Sequence, residues 1–171
     1  EHAVPRRRGR LGPDLAEFKT EHIRPEACPF TIELRLHKNW ARKESLPEPP
    51  APDTLRTIAS FHRVDLPTAG VTVSVATLRW DVYLIDWTWV HLHRLGHKLL
   101  RERRTGSAAE QLPDILSTFG LGTGTYVART TAIGHGPVLI VLQGFAAVPE
   151  FEKIAREIVV TLAGAKTYPP A

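Results

Sequence analysis

The chain has 171 residues, 43% of them hydrophobic and 23% charged, values that suit one globular domain with a sizeable core and argue against a disordered or fibrous chain. Its net charge is +4, but Arg6, Arg7, Arg8 and Arg10 against Glu1 give the first ten residues +3, leaving +1 for the rest. The basic balance therefore belongs to a tail, and a nucleic-acid-binding body is not implied.

Cys28 is the single cysteine, so no intrachain disulfide forms. That suits a reducing compartment, and cytoplasmic location is the expectation. A periplasmic or otherwise exported location is the alternative if an N-terminal segment has been removed, because the N-terminus carries no signal-peptide core and the chain has no methionine. No apolar run approaches the roughly 18–20 residues of a membrane-spanning helix, so no transmembrane segment is expected.

Residues 1–13 combine arginines with Pro5, Gly9, Gly12 and Pro13, the composition of a flexible arm. It is either a solubilising tail or a contact for an anionic surface or nucleic acid through Arg6, Arg7, Arg8 and Arg10. Residues 14–171 form one domain. Its first segment, 14–27, reads as irregular with at most a turn of helix. Phe30–Leu36 alternates apolar and polar side chains, the pattern of a half-buried strand, and Trp40 is expected to fold back over the sheet edge. Four prolines make 44–53 a loop.

Thr54–Val64 is a strand with weaker alternation, Asp65–Gly70 a turn, and Val71, Val73 and Val75 mark another strand. A helix follows over about 82–95. Asp81 stands at its cap and Gly96 at its stop. At about 100° per residue, Val82, Leu84, Ile85, Trp89, Leu92 and Leu95 share one face. Tyr83, Trp87, Val90 and Arg94 share the opposite one. That second stripe is either covered by another layer, such as the arm or the 44–53 loop, or open to a partner.

His97–Arg103 is a short strand whose charges suit a sheet edge. Leu112–Phe119 and Tyr126–Ile133 are strands joined by Gly120-Leu-Gly-Thr-Gly124. Val138–Phe145 contains five consecutive apolar residues, the mark of a strand covered on both faces. Pro149 opens a second helix over 149–163, with Phe151, Ile154, Ile158 and Leu162 at helical spacing and Gly164 as the stop. Pro169-Pro170 should fray. Short turns require antiparallel pairing, so the fold class is α+β: a mostly antiparallel sheet flanked by two main helices, an α/β/α sandwich.

The layout resembles the PsbP-like superfamily, whose members include photosystem II extrinsic subunits and a Ran-binding nuclear-transport factor of the Mog type. Phe30–Leu36 with Asn39-Trp40 is similar to its first strand and following tryptophan. Val71–Leu78, the Trp87 helix and Gly96-His-Lys-Leu-Leu100 are similar to its central unit. Gly136–Phe145 followed by Glu150–Leu162 is similar to its closing strand and helix. The resemblance spans roughly residues 28–164. It implies a binding or assembly subunit and carries over no catalytic residue.

Chemistry-bearing sets are sparse. His91 and His93 point about 160° apart on a helix, and His97 lies beyond its stop, a poor arrangement for the three or four converging ligands zinc needs. The glycine run lacks the Lys-Ser/Thr ending of a phosphate loop and precedes a strand, so it reads as a hairpin connection. Cys28 with His22, and Ser60 with His62 and Asp65, sit in no recognised catalytic context. No catalytic, metal or cofactor site is expected. The functional expectation is a non-enzymatic binding or assembly subunit of a larger complex, docking on a protein partner through Tyr83, Trp87, Val90 and Arg94. The alternatives are a small-ligand binder or enzyme with a pocket under the 44–53 loop, and anionic contact through the arm.

Overall fold

The computed structural model describes residues 15–24, 30–43, 54–79, 84–105 and 112–169. Among these residues, two α-helices and ten strands form two antiparallel sheets, an α+β sandwich as expected. The strands are β1 Phe18–Ile23, β2 Thr31–His37, β3 Trp40–Lys43, β4 Arg56–Arg63 and β5 Leu66–Thr77. After helix α1, Leu84–Arg94, come β6 Lys98–Thr105, β7 Leu112–Leu121, β8 Gly124–His135 and β9 Val138–Ala147. Helix α2, Val148–Ala163, and β10, Lys166–Tyr168, close the chain.

The large sheet runs β3-β4-β5-β9-β8-β7-β6 and the small one β1-β2-β10. The apolar run 138–142 lies in β9, the central strand, paired with β5 on one side and β8 on the other. Ile140, Leu142 and Ala146 join the main core, which Ile154, Ile158 and Leu162 of α2 enter. Leu139 and Val141 alternate to the other face, where Trp87 of α1 packs. Both faces of β9 are therefore dry, which is why its sequence shows no alternation.

The single expected sheet is two. Ile32, Leu34 and Leu36 of β2 are fully buried and belong to the same core as α2, so α2 lies between the sheets. The Thr161 hydroxyl donates to the Arg35 carbonyl at 2.7 Å and ties helix to strand. Segment 14–27, expected to be irregular, contains a 3₁₀ turn at Leu15–Glu17 and then β1, which pairs with β2. Trp40 does not fold back over an edge: it begins β3 and is 1% exposed. The expected turn at 65–70 shrinks to Val64-Asp65, because β5 already starts at Leu66. The arginine arm and the 44–53 loop lie outside the described residues.

Candidate functional site

Helix α1 crosses the large sheet from its centre to its edge, linking β5 to β6. Its end is fixed by backbone bonds. Gly96 N–H donates to the His93 carbonyl and His97 N–H to the Leu92 carbonyl, both at 3.0 Å. Gly96 at φ +86° supplies the left-handed turn that this Schellman arrangement needs. His91, His93 and Arg94 stand in the last turn, where the helix dipole favours positive charge.

The inward stripe of α1 is Ile85, Thr88 and Leu92, with Thr88 fully buried. The stripe is rotated from the expected one. Trp87, placed by the sequence on the outward face, is half-buried against Ala76, Leu78, Ala132, Leu139 and Val141. Its ring stacks on His91 at 5.2 Å and 8°. Leu95, expected inward, is 61% exposed. Of the four candidate contact residues, Val90 (46% exposed) and Arg94 are open to solvent. Tyr83, like Arg6, Arg7, Arg8 and Arg10, lies outside the described residues.

Beside α1 runs a ladder that sequence reading missed. His97 is buried, with Nδ1 2.9 Å from the Ser117 hydroxyl. Its ring stacks on Phe119 at 4.6 Å, and Phe119 in turn meets Tyr126 and Phe145. Burial, then the nearby Arg94 charge, pushes the His91 pKa below its ordinary 6.5. Burial, then His91, does the same for His97. The folded state therefore favours neutral rings. The stability this contributes is present above about 6.5, the unfolded-state value, and is lost as pH falls from there towards the lowered folded values. Wild type is expected to lose stability relative to His91→Gln between pH 7.5 and 5, measured by urea denaturation at each pH. A constant difference across that range would contradict the assignment.

The histidines considered for a metal go separate ways. His91 stacks on Trp87, His93 lies against Trp89 and His97 faces Ser117. Among the described residues, no three His, Cys, Asp or Glu side chains converge as a metal site would require. In the Ser60, His62 and Asp65 set, His62 is exposed and Asp65 pairs with Arg63 at 2.8 Å. His22 pairs with Glu33 at 3.3 Å, and Cys28 lies outside the described residues. The glycine run is a tight hairpin: Leu121 pairs with Gly124, and Gly122 takes φ +61° at the turn.

Two ionic groups also escaped the sequence reading. On the α2 side, His37 lies 3.4 Å from a Glu17 oxygen and 3.1 Å from a Glu157 oxygen, and Arg63 pairs with Glu157. Under the far end of α2, Arg129 grips Asp114 with two bonds of 2.8 Å. That pair lines a cleft of about 280 Å³ with Thr131, Ile133, Val159 and Leu162. Buried opposite charges in apolar strands were the available signal, since such charges need a partner.

A central antiparallel sheet with α1 on one face, and α2 and a small sheet on the other, defines the class: a PsbP-like α+β fold. No protein-family model matches the chain, and no curated protein is similar to it in sequence. The fold is similar to that of cyanobacterial PsbP (CyanoP) from Synechocystis sp. PCC 6803, with TM-score 0.66 and 9% identity over 94% of this chain and 96% of that one. It is also similar to LpqN of Mycobacterium tuberculosis, described as involved in cell envelope biogenesis, with TM-score 0.56 and 12% identity over 89% of this chain and 92% of that one.

Proposed function

We propose that the chain is a non-enzymatic binding or assembly subunit that docks on a protein partner through the outer side of α1. The observation that carries this reading is the exposed pair Val90 and Arg94, one helical turn apart on a helix anchored from below by Ile85, Thr88 and Leu92. Val90 supplies apolar contact and Arg94 a charge-assisted bond. Half-buried Trp87, stacked on His91, borders this surface. The arginine arm adds a long-range attraction screened by salt. The PsbP-like fold supports a binding role by analogy alone.

The test is size-exclusion chromatography of the native complex with wild type and with Val90→Asp/Arg94→Ala. Both positions are exposed, so the variant should keep its thermal midpoint while its complex dissociates. An unaltered complex would overturn the surface assignment. A second reading, a small apolar ligand, is favoured only by the cleft under α2, and there Arg129 and Asp114 already satisfy each other. The pocket expected beneath the 44–53 loop lies outside the described residues.

A further inference from the structure

The turns at one end of the large sheet each carry an exposed apolar side chain. Val64 (69% exposed) is in the β4–β5 turn and Val148 (48%) at the start of α2. Leu121 (60%) is at the β7–β8 turn and Leu95 (61%) between α1 and β6. Their shared end follows from register. Arg63 pairs with Leu66, and Gly70 with Phe145, just before β9 gives way to α2. Tyr126 pairs with Ala147, Leu121 with Gly124 and Lys98 with Thr118. Leu95 precedes Lys98 by three residues and Leu121 follows Thr118 by three, so both project past the same end of the β6–β7 pair. The His97–Phe119 stack holds the two turns together.

Charge divides this rim. The Val64 and Val148 half carries both signs: exposed Asp65 and Glu152 stand with exposed Lys38 and Lys153. Around Leu121 the turn is uncharged, Gly120 to Thr125. Around Leu95 stand exposed Arg94 and Lys98, and β6 continues with exposed Leu99 (41%) and Leu100 (57%); farther along the strand, away from this end, Glu102 and Arg103 are both exposed. The α1 half of the rim therefore offers projecting leucines beside two cations, Arg94 and Lys98.

We infer that this half-rim, Leu95, Leu121, Leu99 and Leu100 with Arg94 and Lys98, seats on a bilayer bearing anionic headgroups. The leucines enter the acyl boundary and the cations meet the phosphates. A second copy of the chain is disfavoured, because β6 is net positive (Lys98, Arg101, Arg103 and Arg104 against Glu102) and pairing it with itself would bring like net charge together. The register shift between Leu99 and Arg101 also breaks the edge. A single protein pocket fits poorly too. Leu95 and Leu121 sit on separate turns and Leu99 and Leu100 on a strand, whereas hot spots cluster centrally in one packed patch; a fluid interface accepts separate projections. This goes beyond the docking proposal and shares only Arg94 with it.

The test is cosedimentation of the full chain with vesicles of phosphatidylcholine plus phosphatidylglycerol, and with phosphatidylcholine alone. Wild type should bind the anionic vesicles, more weakly at high salt, and the neutral ones little. Leu95→Asp and Leu121→Asp should each lower binding by about tenfold. Lys98→Glu should weaken it and reduce the salt dependence. All three positions are exposed, so unchanged thermal midpoints separate lost binding from lost folding. Absence of anionic-vesicle binding by wild type, or equal binding by Leu95→Asp/Leu121→Asp, would overturn the inference. Val90→Asp serves as the control: it should leave vesicle binding intact while releasing the protein partner. A variant set that loses only the protein complex would leave the rim without its lipid role.

Discussion

Glu157→Ala is expected to destabilise the fold by about 3 kcal/mol, the lower end of the range for removing one partner of a buried ion pair. Glu157 and Arg63 side chains are 12% and 13% exposed, and His37 beside them is 10% exposed. Three layers meet here: His37 ends β2, Arg63 ends β4 and Glu157 lies mid-way along α2. Without the carboxylate, Arg63 still has the exposed Asp65, and His37 still has Glu17 and the Asn39 backbone N–H, but the contacts that join both to α2 are gone. Glu157→Gln retains the shape and an acceptor oxygen, so it should cost less than alanine. Burial pushes the Glu157 pKa above its ordinary 4.5, with Arg63 and then His37 opposing the rise. The fold thus favours the protonated acid. That contribution is full below about 4.5 and is lost as pH rises through the elevated folded value. Wild type should therefore gain on Glu157→Gln as pH is lowered from 7 towards 4.5. Urea midpoints of the three proteins at several pH values measure both effects. A Glu157→Ala midpoint equal to wild type would show that α2 does not need the ion pair to hold the small sheet.

How much of this was legible in the sequence depended on the distance over which each feature is specified. The alternation of Phe30–Leu36 and the apolar run in β9 are local patterns, and both elements stand where the pattern puts them. The edge position of β6 followed from its charges. Strand β1 was missed because Phe18-Lys-Thr-Glu-His-Ile alternates poorly and faces solvent over much of its length. The second sheet was missed because β10 meets β2 across most of the chain, pairing Lys166 with Glu33. No local pattern encodes such a pairing. On α1 the error was one of rotation. Apolar residues were assigned inward by hydropathy, yet Thr88 is fully buried at the stripe's centre. Leu95 falls after the last helical residue, where the 100° step no longer sets direction. Val90 and Arg94 kept their outward position. The ionic cluster joins residues 37, 63 and 157, each ordinary in its own stretch and informative only once folded.

Gly144→Ala should cost about 2 kcal/mol, the middle of the range for overpacking a tight core. Gly144 lies in β9, hydrogen-bonded between β5 and β8, so its backbone has no room to withdraw. A Cβ there would stand 2.5 Å from Ile158 Cδ1 and 2.6 Å from Cγ2. Cδ1 can rotate aside. Cγ2 is branched at Cβ and moves only if the χ1 rotamer changes or α2 lifts. Ile158 is fully buried between helix and sheets, so either response disturbs the main core. The glycine therefore sets the approach distance of α2, which in turn carries the small sheet on its other side. Ile158→Ala alone should cost about 3 kcal/mol by leaving a cavity. The double variant should cost less than the sum of the two, by about 1 kcal/mol or more, because the new methyl occupies space the isoleucine has vacated. Gly120→Ala is the control: its nearest neighbour would be a backbone oxygen at 3.9 Å, and its effect should be within about 0.5 kcal/mol. Additive losses in the double variant would mean that Gly144 and Ile158 act independently, and the close packing of α2 on β9 would no longer explain why glycine occupies the centre of the sheet.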